Sequence, residues 1–229
     1  MKLHKEIIGN CTLYNADCMD IMSQYPDKYF DLAIVDPPYG IGASKEFISM
    51  ALASPKCGNW NPKLRGYEKK AWDKKPPNDN YFKELFRVSK RQIIFGGQYY
   101  NLPKSGGWII WDKCVCMPTL SKCELMWTSF LNHTELFKFL WSGFRKGEKA
   151  KRIHPTQKPA ALYKWLLSKY TKQGDKILDT HFGSGSIAIA CNELGFELIA
   201  SELDRDYFKA ACSRVREANK QNELFSEAS

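Results

Sequence analysis

The sequence predicts an α/β fold with a doubly wound, mostly parallel sheet. Short apolar runs of strand length alternate with segments of helical periodicity along most of the chain, which is typical of a parallel sheet covered by helices. Two of these runs, at residues 32–35 and 177–178, lead directly into turns rich in proline or glycine. With 229 residues, the chain is long enough for one such unit with its own core. We therefore predict a single domain over residues 1–229.

The first half of the chain predicts strands at residues 12–14, 32–35 and 92–95. Asp17 can cap a short helix after the first of these strands. Asp79 can cap a longer helix, whose apolar side chains recur at helical spacing. Because helices alternate with strands, we expect neighbouring strands to run parallel.

The second half predicts five strands and three helices. The strands are residues 107–111, 124–130, 135–141, 177–178 and 198–200. We expect 124–130 and 135–141 to form an antiparallel hairpin on the C-terminal side, because only a short polar connection separates them. Pro159 suits the first turn of a helix, Gly195 ends the next helix, and Asp204 can cap the last one.

Composition favours a polyanionic partner and a reducing compartment. Basic side chains outnumber acidic ones by 34 to 25, which gives a net charge of +9. We find no signal peptide and no apolar run near the ~20 residues that cross a bilayer, so we expect a cytoplasmic protein without a membrane partner. The eight cysteines are scattered and indicate buried free thiols. A zinc site at Cys114, Cys116, Cys123 and His133 would lack the usual paired spacing, so we predict no metal.

The motif Asp36-Pro37-Pro38-Tyr39 follows a buried strand, at the position where open α/β sheets bind their ligands. Two consecutive prolines cannot continue the pairing of a central strand, and they hold the carbonyl oxygens of Asp36 and Pro37 as a rigid row of acceptors. A planar amine suits such a row. Because an ordinary strand that ends in proline gives the same pattern, this interpretation needs a second motif.

A second motif lies downstream, where a strand runs into Asp179-Thr180-His181-Phe182-Gly183-Ser184-Gly185 and then a helix. Such a turn presents backbone N–H groups to a small anion, and the missing Gly-Lys-Thr ending argues against a nucleoside triphosphate. Glu202 closes the next strand about 20 residues later, where a carboxylate accepts hydrogen bonds from ribose hydroxyls in this topology. Nucleotide and flavin sites use similar turns, and Glu202 could instead pair with Arg205, so these alternatives stay open.

Both motifs, together with His154-Pro155-Thr156-Gln157-Lys158-Pro159, resemble those of the amino-methylating DNA methyltransferases. The catalytic motif precedes the cofactor motif, which is the order of the permuted β group. The resemblance extends from about residue 11 to residue 215. It implies a Rossmann-like methyltransferase sheet with circularly permuted motif order, S-adenosyl-L-methionine as cofactor, and a prokaryotic host, phage or other mobile element as source.

The resemblance also implies a role for each motif residue. The catalytic residues would be Asp36, Pro37, Pro38 and Tyr39, with Tyr39 stacking on a flipped-out base. The cofactor-binding residues would be Asp17, Thr156, Lys158, Asp179, Phe182, Gly183, Ser184, Gly185 and Glu202. In this family, an acidic residue before Pro-Pro-Tyr goes mostly with adenine. The implied product is therefore N6-methyladenine in double-stranded DNA.

Two basic segments are candidates for contact with DNA. Residues 41–77 have no clean periodicity, are too long for an ordinary connection, and carry eight basic and three acidic side chains, so we interpret them as a flexible flap. Residues 142–152 form a second basic strip, within a short target-recognition segment at about 112–152 that the resemblance implies. A solvated loop is the alternative for both segments. The predicted DNA contacts are Lys69, Lys70, Lys74, Lys75, Arg145, Lys146 and Lys149.

Other functions share parts of this pattern. An N4-cytosine DNA methyltransferase uses the same amine chemistry. RNA and protein-glutamine methyltransferases also bind planar amines, but they usually place the glycine turn before the catalytic motif. A catalytically inactive nucleic-acid-binding module on the same fold is the alternative that is not an enzyme. A second copy of the chain and a cognate restriction nuclease are further partners that the resemblance allows.

Overall fold

The computed structural model describes residues 4–41, 73, 75–115, 121–141, 147–148 and 152–227. Within these ranges, nine strands form one continuous sheet with the order β1-β2-β9-β8-β3-β4-β6-β5-β7. The strands are β1 (His4–Ile8), β2 (Cys11–Asn15), β3 (Phe30–Val35), β4 (Ser89–Phe95), β5 (Trp108–Asp112), β6 (Cys123–Thr128), β7 (Glu135–Lys138), β8 (Lys176–Asp179) and β9 (Glu197–Ser201).

The middle of the sheet is parallel and its edges are mixed. Strands β2, β9, β8, β3 and β4 all run in one direction. β1 adds to one edge as the antiparallel partner of β2, and β6 adds to the other side antiparallel to β4. The prediction of a mostly parallel α/β sheet is confirmed, although the strand β1 had no sequence prediction.

The predicted hairpin between the strands near residues 124 and 135 is wrong in its partners. Strand β5 lies between β6 and β7, pairing antiparallel with β6 and parallel with β7. The antiparallel pair is therefore β5–β6. Gly107 explains part of this arrangement, because a Cβ there would overlap the backbone of His133. The chain between β6 and β7 thus crosses closely over the start of β5 instead of making a tight hairpin.

Five α-helices lie within the described ranges, besides a short 3₁₀ helix at Gly97–Tyr99: α1 (Cys18–Met22), α2 (Asp79–Val88), α3 (Ala160–Tyr170), α4 (Ser186–Leu194) and α5 (Arg205–Glu227). Asp17 caps α1 by accepting the Met19 N–H at 2.8 Å, as predicted. Asp204 likewise accepts the N–H groups of Asp206 and Tyr207. The cap of α2 is Asn78, one residue before the predicted Asp79, because its side-chain oxygen reaches the Tyr81 N–H.

The helices cover both faces of the sheet, as expected for a doubly wound fold. The apolar side chains of α2, such as Leu85 and Val88, pack in one buried cluster with Phe30 and Ile94. Those of α3, α4 and α5 pack on the opposite face with the remaining strand side chains. Each fully buried leucine or isoleucine contributes roughly 1.5–3 kcal/mol relative to an exposed one, so these two layers hold the sheet in place.

The chain leaves two adjacent central strands toward opposite sides. From β8 it passes through α4 to β9 on one side, whereas the strand that follows β3, by way of α2, is β4 on the other side. This is a topological switch point, where a crevice opens at the carboxyl ends of the strands and ligands bind. The Asp-Pro-Pro-Tyr motif follows β3 and the glycine turn follows β8, so the fold brings both motifs to this crevice.

No helix in the described part of the chain is both long and apolar enough to span a membrane. Six cysteines lie in the described ranges, and all six are free thiols. Cys11, Cys191 and Cys212 are buried, whereas Cys114 and Cys123 are exposed. Cys116 lies outside the described residues, and those residues contain no cluster of three potential metal ligands.

Candidate active site

A cavity of about 380 Å³ opens at the carboxyl ends of β2, β3, β8 and β9. Its volume falls in the range of roughly 300–1,000 Å³ that is usual for ligand pockets. Each of these strands contributes lining residues just beyond its last residue: Asp17 after β2, Asp36 after β3, Phe182 and Gly183 after β8, and Glu202 after β9. Residues far apart in the sequence therefore meet around one space.

The glycine turn forms one wall of this cavity. Gly183 and Gly185 have φ angles of +51° and +76°, which side chains other than glycine rarely adopt. A Cβ on Gly183 would lie 4.0 Å from the His154 ring, which also lines the cavity. A Cβ on Gly185 would meet Phe182 and Val215 at 3.0 Å. Gly183 therefore leaves room in the cavity, whereas Gly185 lies behind its wall and allows close packing.

Glu202 is fixed in the cavity wall by backbone groups. Its Oε2 accepts the Gly183 N–H at 2.9 Å, and its Oε1 accepts the Asp204 N–H at 2.9 Å. Burial raises the pKa of this carboxyl, and the two backbone N–H groups partly oppose that effect. Each oxygen keeps a further lone pair, so the carboxylate is oriented and can still accept hydrogen bonds from a ligand. Glu202 thus orders the glycine turn instead of forming an ion pair with Arg205.

Asp179 supports the turn from below. It does not line the cavity, and its Oδ1 accepts the His181 N–H at 2.9 Å. Burial raises the pKa of Asp179 to about 8. Burial also lowers the pKa of His181 to about 4, so this cavity-lining imidazole is neutral at pH 7. His181 Nδ1 lies 2.9 Å from the Thr180 hydroxyl, which in turn contacts the hydroxyl of Tyr81.

Asp36 lies on the opposite wall with both carboxylate oxygens engaged. Its Oδ1 accepts the Tyr39 hydroxyl at 2.8 Å, and its Oδ2 accepts the Lys158 ammonium at 2.6 Å. Burial raises the pKa of Asp36, whereas Lys158 and Tyr39 oppose the shift. The carboxylate therefore has a fixed orientation before any ligand arrives.

Lys158 is a cavity residue whose ammonium contacts two carboxylates. Besides Asp36, its Nζ lies 3.2 Å from Oε2 of Glu124 on β6. Burial alone would lower the pKa of Lys158, but Asp36 and Glu124 outweigh burial and raise it. Glu124 in turn pairs with Lys113 at 2.7 Å. In this structure Lys158 contacts the Asp-Pro-Pro-Tyr motif, and its contact with a cofactor stays a prediction.

Tyr39 packs against other aromatic residues in this structure. Its ring stacks on Tyr99 with a centroid distance of 5.0 Å, and a Cβ on Gly96 would overlap it. Gly96 also has a φ of +65°, so both the backbone conformation and the contact with the Tyr39 ring require glycine. The hydroxyl of Tyr100 donates to the Pro37 carbonyl at 2.7 Å, so this predicted acceptor already holds one hydrogen bond. A carbonyl has two lone pairs and can accept a second.

The remaining predicted residues divide into lining and supporting positions. Asp17, Pro38, Thr156 and Ser184 line the cavity together with the residues described above. Pro37, Tyr39, Asp179 and Gly185 do not line it, and they hold neighbouring groups in place. Among the predicted DNA contacts, Lys75 lies at the cavity beside Pro76. Lys69, Lys70, Lys74, Arg145, Lys146 and Lys149 lie outside the described residues.

Several residues of the site had no sequence prediction, and Glu124 is the most important of them. Glu124 lies at the start of the predicted strand 124–130, within the segment assigned to target recognition, and its partner Lys158 is remote in the sequence. A signal was present, because a carboxylate inside an otherwise apolar strand requires a partner. His154 and Tyr207, whose rings meet at 4.3 Å on the cavity wall, were also missed.

Comparison with known proteins shows which proteins this chain resembles. A sequence model described as DNA methylase, of the N6/N4 methyltransferase kind, matches residues 119–213. This segment contains the glycine turn, Glu202 and Lys158, which contribute to both walls of the cavity. Over this segment the chain is similar to the N6/N4 DNA methylases, as the sequence motifs indicated. The Type II methyltransferase M2.DpnII of Streptococcus pneumoniae is 25% identical, over 92% of this chain and 91% of that protein.

Two solved structures share the fold. The M1.HpyAVI–SAM complex superposes with a TM-score of 0.54 at 21% identity, over 89% of this chain and 99% of that one. The PvuII DNA methyltransferase, described as cytosine-N4-specific, gives a TM-score of 0.55 at 14% identity, over 90% of this chain and 86% of that one. These likenesses confirm the methyltransferase fold class predicted from the sequence.

Proposed function

We propose that this protein transfers a methyl group from S-adenosylmethionine to the N6 amine of adenine in double-stranded DNA. One observation carries the proposal: a single cavity has an oriented amine acceptor, Asp36, on one wall and the Glu202–Gly183 pair on another. Similarity to the DNA methylases supports the reaction class, and the residues around the cavity support the division of roles.

The residues of the wall that contains Glu202 and Gly183 fit S-adenosylmethionine. Glu202 offers oriented acceptors for the two ribose hydroxyls, and Gly183 leaves backbone and space exposed beside it. Asp17, an exposed carboxylate on the same cavity, can accept the adenine amino group. Thr156 and Ser184 also line the cavity and are proposed to contact the amino-acid end. A cavity of about 380 Å³ is sufficient for a ligand of this class.

When bound, S-adenosylmethionine supplies an electrophilic methyl group on a sulfonium sulfur, which departs as a neutral thioether. Asp36 and the Pro37 carbonyl then accept the two N–H groups of the target amine, which favours a pyramidal nitrogen with an available lone pair. Positive charge develops on this nitrogen as the N–C bond forms. The Asp36 carboxylate therefore stabilises the transition state more than the ground state. Burial raises its pKa, which favours Asp36 as acceptor of the departing proton.

A base within a duplex cannot reach the cavity, so the target nucleotide must be flipped out at a cost of a few kcal/mol. Tyr39 is proposed to stack on this base. Because its ring lies against the 44%-exposed Tyr99 in this structure, the base would have to displace Tyr99 or use the other ring face. Lys75 at the cavity is proposed to contact a flanking phosphate, together with the basic side chains predicted in residues 41–77 and 142–152.

Adenine is proposed over cytosine because Asp36 carries a charge. A carboxylate accepts a short, charge-assisted hydrogen bond from the adenine amine, and an acidic residue at this position goes mostly with adenine in the family. N4-cytosine methylation is the second candidate, since a fold neighbour is described as cytosine-N4-specific. Both reactions need the same acceptor row and the same cofactor wall.

The test offers the protein isotopically labelled S-adenosylmethionine with DNA, RNA and protein in parallel, followed by digestion and mass spectrometry. The DNA should come from a strain without DNA methylation, so that every site is available. We expect label in DNA alone, as N6-methyladenine. Label only as N4-methylcytosine would contradict the adenine assignment, and label only in RNA or protein would contradict DNA as substrate. Asp36→Ala serves as the control for methylation by contaminating enzymes.

A further inference from the structure

A chain of four alternating charges runs from the cavity into the protein: Asp36, Lys158, Glu124 and Lys113. The contacts are 2.6 Å from Asp36 to Lys158, 3.2 Å from Lys158 to Glu124, and 2.7 Å from Glu124 to Lys113. The side chain of Lys158 is only 6% exposed. The proposed chemistry uses Asp36 alone, so Glu124 has no role in it so far.

Glu124 has an acceptor atom without a hydrogen bond. Its Oε2 is buried, and among the described residues it receives no hydrogen bond, although Lys158 Nζ lies 3.2 Å away. A buried carboxylate oxygen is destabilised unless a donor satisfies it, and this oxygen has only the longer contact with Lys158. Lys158 Nζ instead donates its shorter hydrogen bond, at 2.6 Å, to Oδ2 of Asp36. One ammonium thus lies between two carboxylates, bonded to the first and within reach of the second.

The arrangement presents a difficulty for the proposed reaction. A carboxylate that is neutralised by a buried ammonium is a weaker acceptor for an amine and a weaker partner for developing positive charge. Asp36 becomes a strong acceptor only if Lys158 moves away from it or is itself neutralised. Glu124 can do both, because it lies on the far side of the same ammonium and has an oxygen ready to accept it.

We propose that Glu124 is a positioning residue for methyl transfer, which shares Lys158 with Asp36 and takes over its ammonium when Asp36 accepts the target amine. The inference rests on the proposed function. No proton moves in this exchange, since Lys158 stays protonated and only its hydrogen bond changes partner. Lys113 holds the other oxygen of Glu124, so the carboxylate keeps its position during the exchange.

The charged and titratable groups around Asp36 come from several elements. Lys158 and Glu124 act on it most strongly after burial, and the hydroxyl of Tyr39 donates to it. Further groups coupled to Asp36 are Tyr100 after β4, Tyr163 on α3 and Asp179 on β8. The negative charge of Glu124 raises the pKa of Asp36, whereas the positive charge of Lys158 lowers it. Removal of each charge should therefore move the pKa of Asp36 in opposite directions.

The experiment compares Glu124→Gln and Lys158→Met with the unmodified protein in single-turnover methyl transfer between pH 5 and pH 9. We expect methyl transfer by Glu124→Gln to be about tenfold slower than by the unmodified protein. This loss is smaller than the ~10²–10³-fold loss of rate that follows removal of a direct transition-state contact. The acidic limb of the pH–rate profile should move to lower pH in Glu124→Gln and to higher pH in Lys158→Met. The matched control is Glu135→Gln, which removes a glutamate that also pairs with a lysine, on β7 outside the site. It should match the unmodified protein.

A second readout does not depend on methyl transfer. Carbon-13 NMR titration of the Asp36 carboxyl in the protein without cofactor or DNA should show the same two opposite shifts. If Glu124→Gln keeps the unmodified rate and profile, or loses rate without moving the limb or the titration, the inference is wrong. If the unmodified protein transfers no methyl group to DNA, the proposed function itself fails. If Lys158→Met does not fold, Glu124→Gln alone decides the outcome.

Discussion

The two walls of the cavity hold their carboxylates in different ways. Glu202 is held by the backbone N–H groups of Gly183 and Asp204, which belong to the same strand, turn and helix unit. Asp36 is held by two side chains, Tyr39 and Lys158, and the second is 122 residues away in the sequence. Backbone donors cannot exchange partners as side chains do, so the wall that contains Glu202 keeps its arrangement and serves as a binding surface. Side-chain donors can exchange, so the wall that contains Asp36 can change its partners during a reaction.

The largest expected effect is on the catalytic wall. Asp36→Ala should lower the single-turnover rate of methyl transfer by about 10³-fold, because it removes the acceptor on which the developing charge depends. Asp36→Asn keeps one acceptor oxygen but loses the charge, so its rate should lie between that of Asp36→Ala and that of the unmodified protein. Rates are measured by rapid quench at saturating cofactor. Equal rates for Asp36→Ala and the unmodified protein would contradict a catalytic role for the wall that contains Asp36.

A smaller effect is expected on the binding wall. Glu202→Ala should weaken S-adenosylmethionine binding about 100-fold, since hydrogen bonds to charged groups contribute about 1.5–3 kcal/mol each. Isothermal titration calorimetry measures the affinity. The control is Glu197→Ala, at the exposed start of the same strand, which should bind as the unmodified protein does. Unchanged affinity in Glu202→Ala would remove this residue from the ligand site.

Tyr39→Phe should sharpen the distinction between the walls. The variant keeps the stacked ring but loses the hydroxyl that orients Asp36, so we expect a rate loss of about tenfold with cofactor affinity unchanged. The Tyr39 hydrogen bond lowers the pKa of Asp36, so the acidic limb of the pH–rate profile should move to higher pH. A limb that stays in place would mean that Tyr39 acts only by stacking.

The last effect concerns stability and not activity. Burial raises the pKa of Asp179 from 3.8 to about 8, so the folded state binds its proton more tightly than the unfolded state. The contribution of this group to stability is therefore greatest below about pH 4 and is lost as the pH rises toward 8. Asp179→Asn should melt increasingly above the unmodified protein between pH 5 and pH 8, with a constant difference beyond. Parallel melting curves over this interval would contradict the assignment.

The sequence predicted the backbone-held wall more completely than the other. Gly183 and Glu202 lie 19 residues apart in one local unit, so strand, turn and helix signals were enough to place them together. Asp36 was predicted from its own motif, but its pairing with Lys158 and the approach of Glu124 were not. These contacts depend on how β6 packs beside β4, and sequence periodicity gives no information about strand order.

The misplaced hairpin has the same physical origin. Strands β6 and β7 are neighbours in sequence, yet β5 pairs with both. Local turn signals favour a direct pairing, whereas the close approach that Gly107 allows at His133 favours the inserted strand. Element types follow from local pattern, but the order of edge strands follows from tertiary packing, which outweighs turn preference.

Titration of S-adenosylmethionine into Asp36→Ala tests most directly whether the Glu202 wall binds the cofactor independently of the catalytic Asp36 wall. Because the cofactor wall consists of Glu202, the glycine turn and their backbone donors, we predict a dissociation constant within about threefold of the unmodified protein, a difference below 1 kcal/mol. A loss of affinity as large as that expected for Glu202→Ala would contradict the account. The cavity would then act as one coupled site, in which Asp36 is needed to bind the cofactor as well as to use it.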